Sequence, residues 1–219
     1  MTAYPVFGLF QRRGKIFPWG AALVAASVLV ALGEPAVGQE KRASEAKLFG
    51  LSGEGSSFVY VFDRSGSMKG EPLAAAKREL LASSHGLTRV QQFQIVFYNE
   101  RARAMQPPQM AFADDDGLRQ AESFVRSVTA SGGTDHVQAL LLALRMKPDV
   151  IFFLTDADDP QFTAKELDEV WRKNPGVAIN VIEFKSGQQA GAANALHKLA
   201  EQNRGEYKYV DLKALAESP

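Results

Sequence analysis

Residues 58–68 read FVYVFDRSGSM, and two later stretches, SGGTD at 131–135 and FFLTDADD at 152–159, have to be read with them. Phe58–Phe62 is an unbroken run of aromatic and β-branched residues, the pattern of a strand buried on both faces. It runs directly into Asp63. Val150–Leu154 (VIFFL) is a second such run, and it ends in Thr155 and Asp156. Around these lie segments of helical period. Pro72 to about His85 puts Leu73, Ala76, Leu80 and Leu81 on one side and stops at Gly86. Asp114–Asp116 cap and begin a helix through Val128; Thr134 opens another over HVQALLLALRM; Thr163–Lys173 and Ala190–Gln202 complete the set. Further strands are expected at Phe93–Tyr98, Val177–Phe184 and Tyr207–Val210, with a short edge strand at Ala102–Met105 stopped by Pro107-Pro108. Strands alternating with helices give an α/β fold, doubly wound, with a mostly parallel central sheet covered by helices on both faces. The binding site of such a sheet lies beyond the carboxyl ends of its strands.

Those carboxyl ends carry the chemistry. If the two apolar strands are neighbours, Asp63 and Asp156 end roughly 5 Å apart across the sheet. Two carboxylates so placed repel, and one stays protonated unless a cation lies between them. The loop after the first strand adds neutral oxygen: Asp63, Ser65 and Ser67 stand at alternate positions, with Gly66 permitting a tight turn. Gly132-Gly133-Thr134 offers a third hydroxyl where the backbone can approach closely. An all-oxygen set of low charge suits a hard ion at ~2.0–2.1 Å that keeps some waters, Mg²⁺ first and Mn²⁺ next.

The three stretches, in this order and spacing, resemble a von Willebrand factor type A (VWA) domain over about Ser56 to Leu212. The resemblance implies a Rossmann-like fold with strand order 3-2-1-4-5-6, which sets the Asp63 and Asp156 strands side by side. It also implies a complete metal-ion-dependent adhesion site (MIDAS): Ser65, Ser67 and Thr134 touch the metal directly or through water, and Asp63 and Asp156 hold it directly or through its waters. The family's usual use of that site is protein binding, with an Asp or Glu carboxylate of the partner filling the open metal position. Surrounding loops would then set specificity, namely Gln106–Ala113, Ala157–Thr163 and Lys185–Ala190. Asp158 and Asp135 are candidates for the outer shell, although cap and loop roles account for them as well. Arg64 and Lys69 are candidates for contact with an anionic ligand. Two alternatives use the same cation: a Mg²⁺-dependent hydrolase or phosphoryl-transfer enzyme, and a cytoplasmic partner of an ATPase or chelatase machine. The enzyme reading lacks an evident base. His136 is the nearby candidate, and a packed or surface histidine explains it better. There is no phosphate-binding Gly-x-x-x-x-Gly-Lys-[Ser/Thr] loop, and Gly53-x-Gly55 precedes its strand rather than following it.

Composition narrows the remainder. The 219 residues carry 25 cations and 25 anions, which argues against nucleic-acid binding. With no cysteine, thiolate metal sites, thiol nucleophiles and disulfides are excluded. Residues 1–18 hold Arg12, Arg13 and Lys15 and no acid, and are read as a cytoplasmic basic segment; 19–33 (WGAALVAASVLVALG) is uncharged. Counted from Ile16, the apolar run is about 18 residues, the lower limit for a membrane-spanning helix. Cations before it and Glu34 and Glu40 after it point to an exported, periplasmic or extracytoplasmic domain on a single-pass membrane anchor. The other exported reading is a signal segment cleaved near Ala36-Val37-Gly38, releasing the domain. Residues 34–55 read as a linker, with a short helix near Ala43–Leu48, and 213–219 as a tail.

Overall fold

The computed structural model describes residues 45–157, 161–187 and 194–217. The apolar segment at 19–33, most of the linker, Asp158 and Asp159 lie outside the described residues. No helix among the described residues is long and apolar enough to cross a membrane.

The chain opens with a hairpin, β1 (Glu45–Leu48) and β2 (Leu51–Glu54), paired antiparallel. This differs from the linker and short helix expected there. The period is in fact two: Ala46, Leu48 and Leu51 are buried while Glu45, Lys47 and Ser52 are exposed. Phe49 (φ 48) and Gly50 (φ 76) form the tight turn, both left-handed as a two-residue hairpin requires. There follow β3 (Ser57–Asp63), a 3₁₀ turn (Gly66–Met68), α1 (Glu71–His85), β4 (Gln92–Tyr98), β5 (Ala102–Ala104) and β6 (Ala111–Phe112). The second half comprises α2 (Asp115–Ser127), α3 (His136–Arg145), β7 (Val150–Thr155), α4 (Ala164–Lys173), β8 (Ala178–Lys185), α5 (Ala195–Gln202), β9 (Tyr207–Asp211) and α6 (Leu212–Glu217). The last helix stands where a tail was read; α5 is described from Ala195, capped by Asn194, and residues 190–193 of the helix expected from Ala190 lie outside the described residues.

The central sheet runs β5-β4-β3-β7-β8-β9, with β6 on the other end of β4. β3, β4, β7, β8 and β9 are parallel; β5 and β6 are antiparallel. Alternation along β3 splits the core. Phe58, Tyr60 and Phe62 face α1 and α2, while Val59 and Val61 face the side of α3, α4 and α5. On that first face α1 and α2 cover β3 and β4, Leu212 of α6 packs beside β9, and the hairpin covers the stretch between them. Phe49 packs on Phe184 with ring centroids 5.1 Å apart, and a Cβ on Gly53 would lie 2.8 Å from Val150. The Asn180 amide donates to the Ser52 carbonyl at 3.2 Å. Both cores therefore close within the compact unit Lys41–Pro219, which has what it needs to fold on its own.

Candidate metal centre

β3 and β7 are direct neighbours, with Phe62 opposite Leu154. Asp63 thus ends its strand level with Thr155, and Asp156 follows one residue on. The Asp63 carboxylate is 1% exposed and is held at both oxygens: Oδ1 accepts from the Ser65 amide at 2.7 Å, and Oδ2 from the Thr155 hydroxyl at 3.0 Å. Its pKa is raised from 3.8 to about 6. Burial is the main cause and the Asp156 charge a lesser one, while the bonds from Ser65 and Thr155 oppose both. Repulsion between the paired carboxylates, the cause named from the sequence, is therefore present but secondary to desolvation.

The loop beyond Asp63 turns at once. Ser65 is buried, Ser67 exposed, and their hydroxyl oxygens lie 3.0 Å apart. The Gly66 amide donates to the Gly132 carbonyl at 2.9 Å, setting the loop that carries Thr134 beside the one that carries the serines. Gly132 is needed there: its φ is 78°, and a Cβ would sit 2.9 Å from the Asn99 side-chain nitrogen. Thr134 lies just ahead of α3 but does not cap it. Asp135 does, accepting from the Gln138 amide at 3.0 Å, so its carboxylate is committed to the helix end. The groups placed against Asp63 are hydroxyls, an amide and a second carboxylate, with no side-chain cation among the described residues. A buried carboxylate so surrounded by oxygen fits a bound divalent ion, which Asp63, Ser65, Ser67, Thr134 and Asp156 would hold.

Other expectations fared differently. The Arg64 guanidinium donates to the Thr129 carbonyl and the Ser131 hydroxyl, both at 3.2 Å, and so straps two loops together rather than standing free for a ligand. Lys69 is exposed. His136 is buried, its Nδ1 3.0 Å from the Tyr98 hydroxyl and its ring stacked on Phe162 at 4.9 Å, which makes it part of the core. The segment Gln106–Ala113 is at the wrong end of the sheet. The Gln94 side chain, itself fully buried, donates to the carbonyls of Pro107 and Gln109, and the Ala113 amide donates to Gln91, all near the amino end of β4. It does not flank Asp63.

Three residues were missed. Thr155 fixes Asp63. Asn99 donates to the Ser131 carbonyl at 2.7 Å, and its own carbonyl accepts from the Asp135 amide at 2.8 Å. Glu100 accepts from the Gly133 amide at 3.1 Å. The rule that found Asp63 would have found Asn99 and Glu100, since both directly follow a buried strand next to β3.

Comparison with known proteins identifies the fold. The family model described as the von Willebrand factor type A domain matches residues 56–209. Human inter-alpha-trypsin inhibitor heavy chain H4 is 28% identical over 97 residues, 44% of this chain and 10% of its own length. A von Willebrand factor A domain-containing protein of Dictyostelium discoideum is 27% identical over 109 residues, 47% and 12% of the two chains. The chain thus spans about a tenth of the length of these relatives. Among solved structures, a von Willebrand factor type A protein from Catenulispora acidiphila superposes with TM-score 0.64 at 24% identity, covering 76% of this chain and 42% of that one. BatB from Bacteroides thetaiotaomicron gives 0.54 at 17%, covering 74% and 96%. Proximal thread matrix protein 1 of the mussel byssus, in a form with a zinc-occupied MIDAS motif, gives 0.51 at 15%, covering 74% and 45%. At these identities the structural likeness speaks to the fold alone.

Proposed function

Because the chain belongs to the von Willebrand factor type A domain family, we propose that it is a divalent-metal-dependent protein-binding module whose ion, Mg²⁺ or Mn²⁺, bridges to an Asp or Glu carboxylate of a protein partner. The observation that carries this reading is the bond from the Gly66 amide to the Gly132 carbonyl. It sets the loop that carries Thr134 beside the loop that carries Ser65 and Ser67, next to a buried carboxylate that no side-chain cation balances among the described residues. Hydroxyl ligands add no charge, and a carboxylate that acts only through a metal-bound water neutralises the ion in part, so an ion held this way keeps positive charge on its open side, and an acidic side chain completes it. The hydrolytic alternative is weakened by His136, whose ring is built into the core. We further propose that residues 19–33 anchor the domain in a membrane and that the domain is exported.

The test is a pull-down of membrane proteins on the domain, in Mg²⁺ and in EDTA, with Ser65→Ala/Ser67→Ala alongside. Capture that requires Mg²⁺ and is lost in the double variant supports the reading; capture that persists in EDTA moves the contact away from the metal. Calorimetric titration should include Mg²⁺, Mn²⁺ and, because a solved neighbour carries it, Zn²⁺. Turnover of generic phosphoesters that disappears in Asp63→Ala would favour the enzyme instead.

A further inference from the structure

The turn between β4 and β5 is built onto the loop that carries Thr134. Asn99, buried just past β4, spans that turn with its side chain: Nδ2 donates to the Ser131 carbonyl at 2.7 Å, and Oδ1 accepts from the Arg101 amide at 3.1 Å. Its main-chain carbonyl accepts from the Asp135 amide at 2.8 Å. The Ala102 amide donates to the Gln138 side chain at 2.9 Å, in the first turn of α3. The turn therefore grips the chain on both sides of Thr134. The loop after β3 holds it from another side, through Gly66 amide to Gly132 carbonyl and Ser131 amide to Arg64 carbonyl, both at 2.9 Å. Between these grips lies the residue directly before Thr134, Gly133, and Glu100 takes its amide: Oε1 accepts from it at 3.1 Å.

The fold alone does not call for that last bond. Glu100 and Gly133 are both exposed, so water would satisfy the Gly133 amide, and α3 already has its cap in Asp135. Backbone conformation does not explain the glycine either, because Gly132 is left-handed and Gly133 is not. What position 133 lacks is room. A Cβ there would lie 3.2 Å from Glu100 Oε1 and 3.4 Å from its Cγ, so glycine is what lets the Glu100 side chain lie against this peptide. Two glycines in a row also lose the most freedom on being ordered, so a tie is needed here if the next residue must stand still. We infer that Glu100 is a positioning residue for the metal centre: its carboxylate pins the Gly133 amide and so fixes the Thr134 hydroxyl toward the ion. This role rests on the metal reading proposed above and adds a residue outside that ligand set. Glu100 acts through the backbone of the Thr134 loop, and its charge is incidental to it.

The experiment compares wild type, Glu100→Ala, Glu100→Gln and Asp63→Ala in residues 41–219. Isothermal titration measures affinity for Mg²⁺ and Mn²⁺, and NMR in EDTA measures solvent exchange of the Gly133 amide without metal. Glu100→Ala should weaken ion binding about fivefold, the net worth of one hydrogen bond, and speed exchange at Gly133. Glu100→Gln keeps an oxygen for that amide and loses only the charge, so both readouts should return to within about twofold of wild type. A Gln variant as weak as the Ala variant would mean that the charge attracts the ion through space, which overturns the positioning role. Unchanged Gly133 exchange in Glu100→Ala overturns it as well. Wild-type affinity in Glu100→Ala, with none in Asp63→Ala, overturns it while leaving the metal site standing. No binding by wild type defeats the metal reading, and the role of Glu100 there with it. The urea midpoint of Glu100→Ala in EDTA should match wild type; a clear fall would make the bond a prop of the fold rather than of the site, and overturns the role too.

Discussion

Replacing Asp63 by Asn should stabilise the metal-free domain and abolish its response to Mg²⁺. Asp63 is 1% exposed and its pKa stands at about 6 against an ordinary 3.8. In the absence of metal the folded protein therefore keeps a proton, between about pH 4 and 6, that the unfolded chain has released. Stability from this group is complete below the ordinary value and is lost as pH rises through about 6, a difference of about 3 kcal/mol by neutral pH. In Asp63→Asn the side-chain carbonyl can still accept from the Ser65 amide, whose nitrogen is 2.7 Å from Oδ1 in the wild type. The new NH₂ would face the Thr155 hydroxyl, which already accepts from the Ala157 amide at 3.2 Å, and that mismatch costs about 1 kcal/mol. A net gain of about 1–2 kcal/mol raises the Tm by about 2–8 °C for a domain of this size. The assay is differential scanning calorimetry of residues 41–219 in EDTA across the acid-to-neutral range, repeated in excess Mg²⁺. Wild type should fall with rising pH in EDTA and recover with Mg²⁺, by about 2.7 kcal/mol at a hundredfold excess over Kd. The variant should be flat in both respects. A variant less stable than wild type in EDTA at neutral pH, or one that still responds to Mg²⁺, refutes the reasoning.

Gly132→Ala forces a left-handed residue to carry a Cβ 2.9 Å from the Asn99 nitrogen. It should cost about 1–2 kcal/mol of stability and, by moving Thr134, weaken Mg²⁺ binding in calorimetric titration; unchanged affinity would mean that Thr134 is not held by this loop. Starting the chain at Ser56 removes the buried Ala46, Leu48 and Leu51 and uncovers the face bearing Phe152 and Phe184. At about 1.5–3 kcal/mol per large buried side chain, urea unfolding should show a loss of about 3–6 kcal/mol or no folded state. A fragment 56–219 as stable as 41–219 would make the hairpin dispensable.

Strand and helix periods made the α/β core legible, because a strand covered on both faces has no polar position, and β3 and β7 have none before Asp63 and Thr155 once β3 is past its first residue. The metal-site candidates were legible for the same reason: a polar residue directly after such a run has to stand at the carboxyl edge. The hairpin was not. EAKLFGLSGE carries only a few large apolar residues, and the glycine and serine that suggest a linker are there because Gly53 must fit against Val150. The position of Gln106–Ala113 was also hidden. It depends on a buried side chain, Gln94, whose three carbonyl partners lie 11 to 15 residues away, and no local pattern reports such a tie. Asp135 displaced Thr134 as the α3 cap because both residue types cap helices, and choosing between them takes the backbone path that Asn99 sets.

The two poles of the domain differ chemically because a parallel sheet sorts its connections. Every parallel strand delivers its carboxyl end to one edge, so the residues that follow strands, Asp63, Asn99 and Asp156, meet there. Helices α1, α3, α4 and α5 return their own carboxyl ends to the opposite edge, where a cation in the last turn offsets the helix dipole, whereas α2, entered from β6, runs toward the loop after β3. Arg145 and Lys173 have that local reason to be where they are. Lys147 and Arg204 do not, since both lie beyond their helices in left-handed backbone, at φ 52° and 57°, where glycine or asparagine is the usual choice. Trp171 has none either, because exposing an indole gains nothing for the fold.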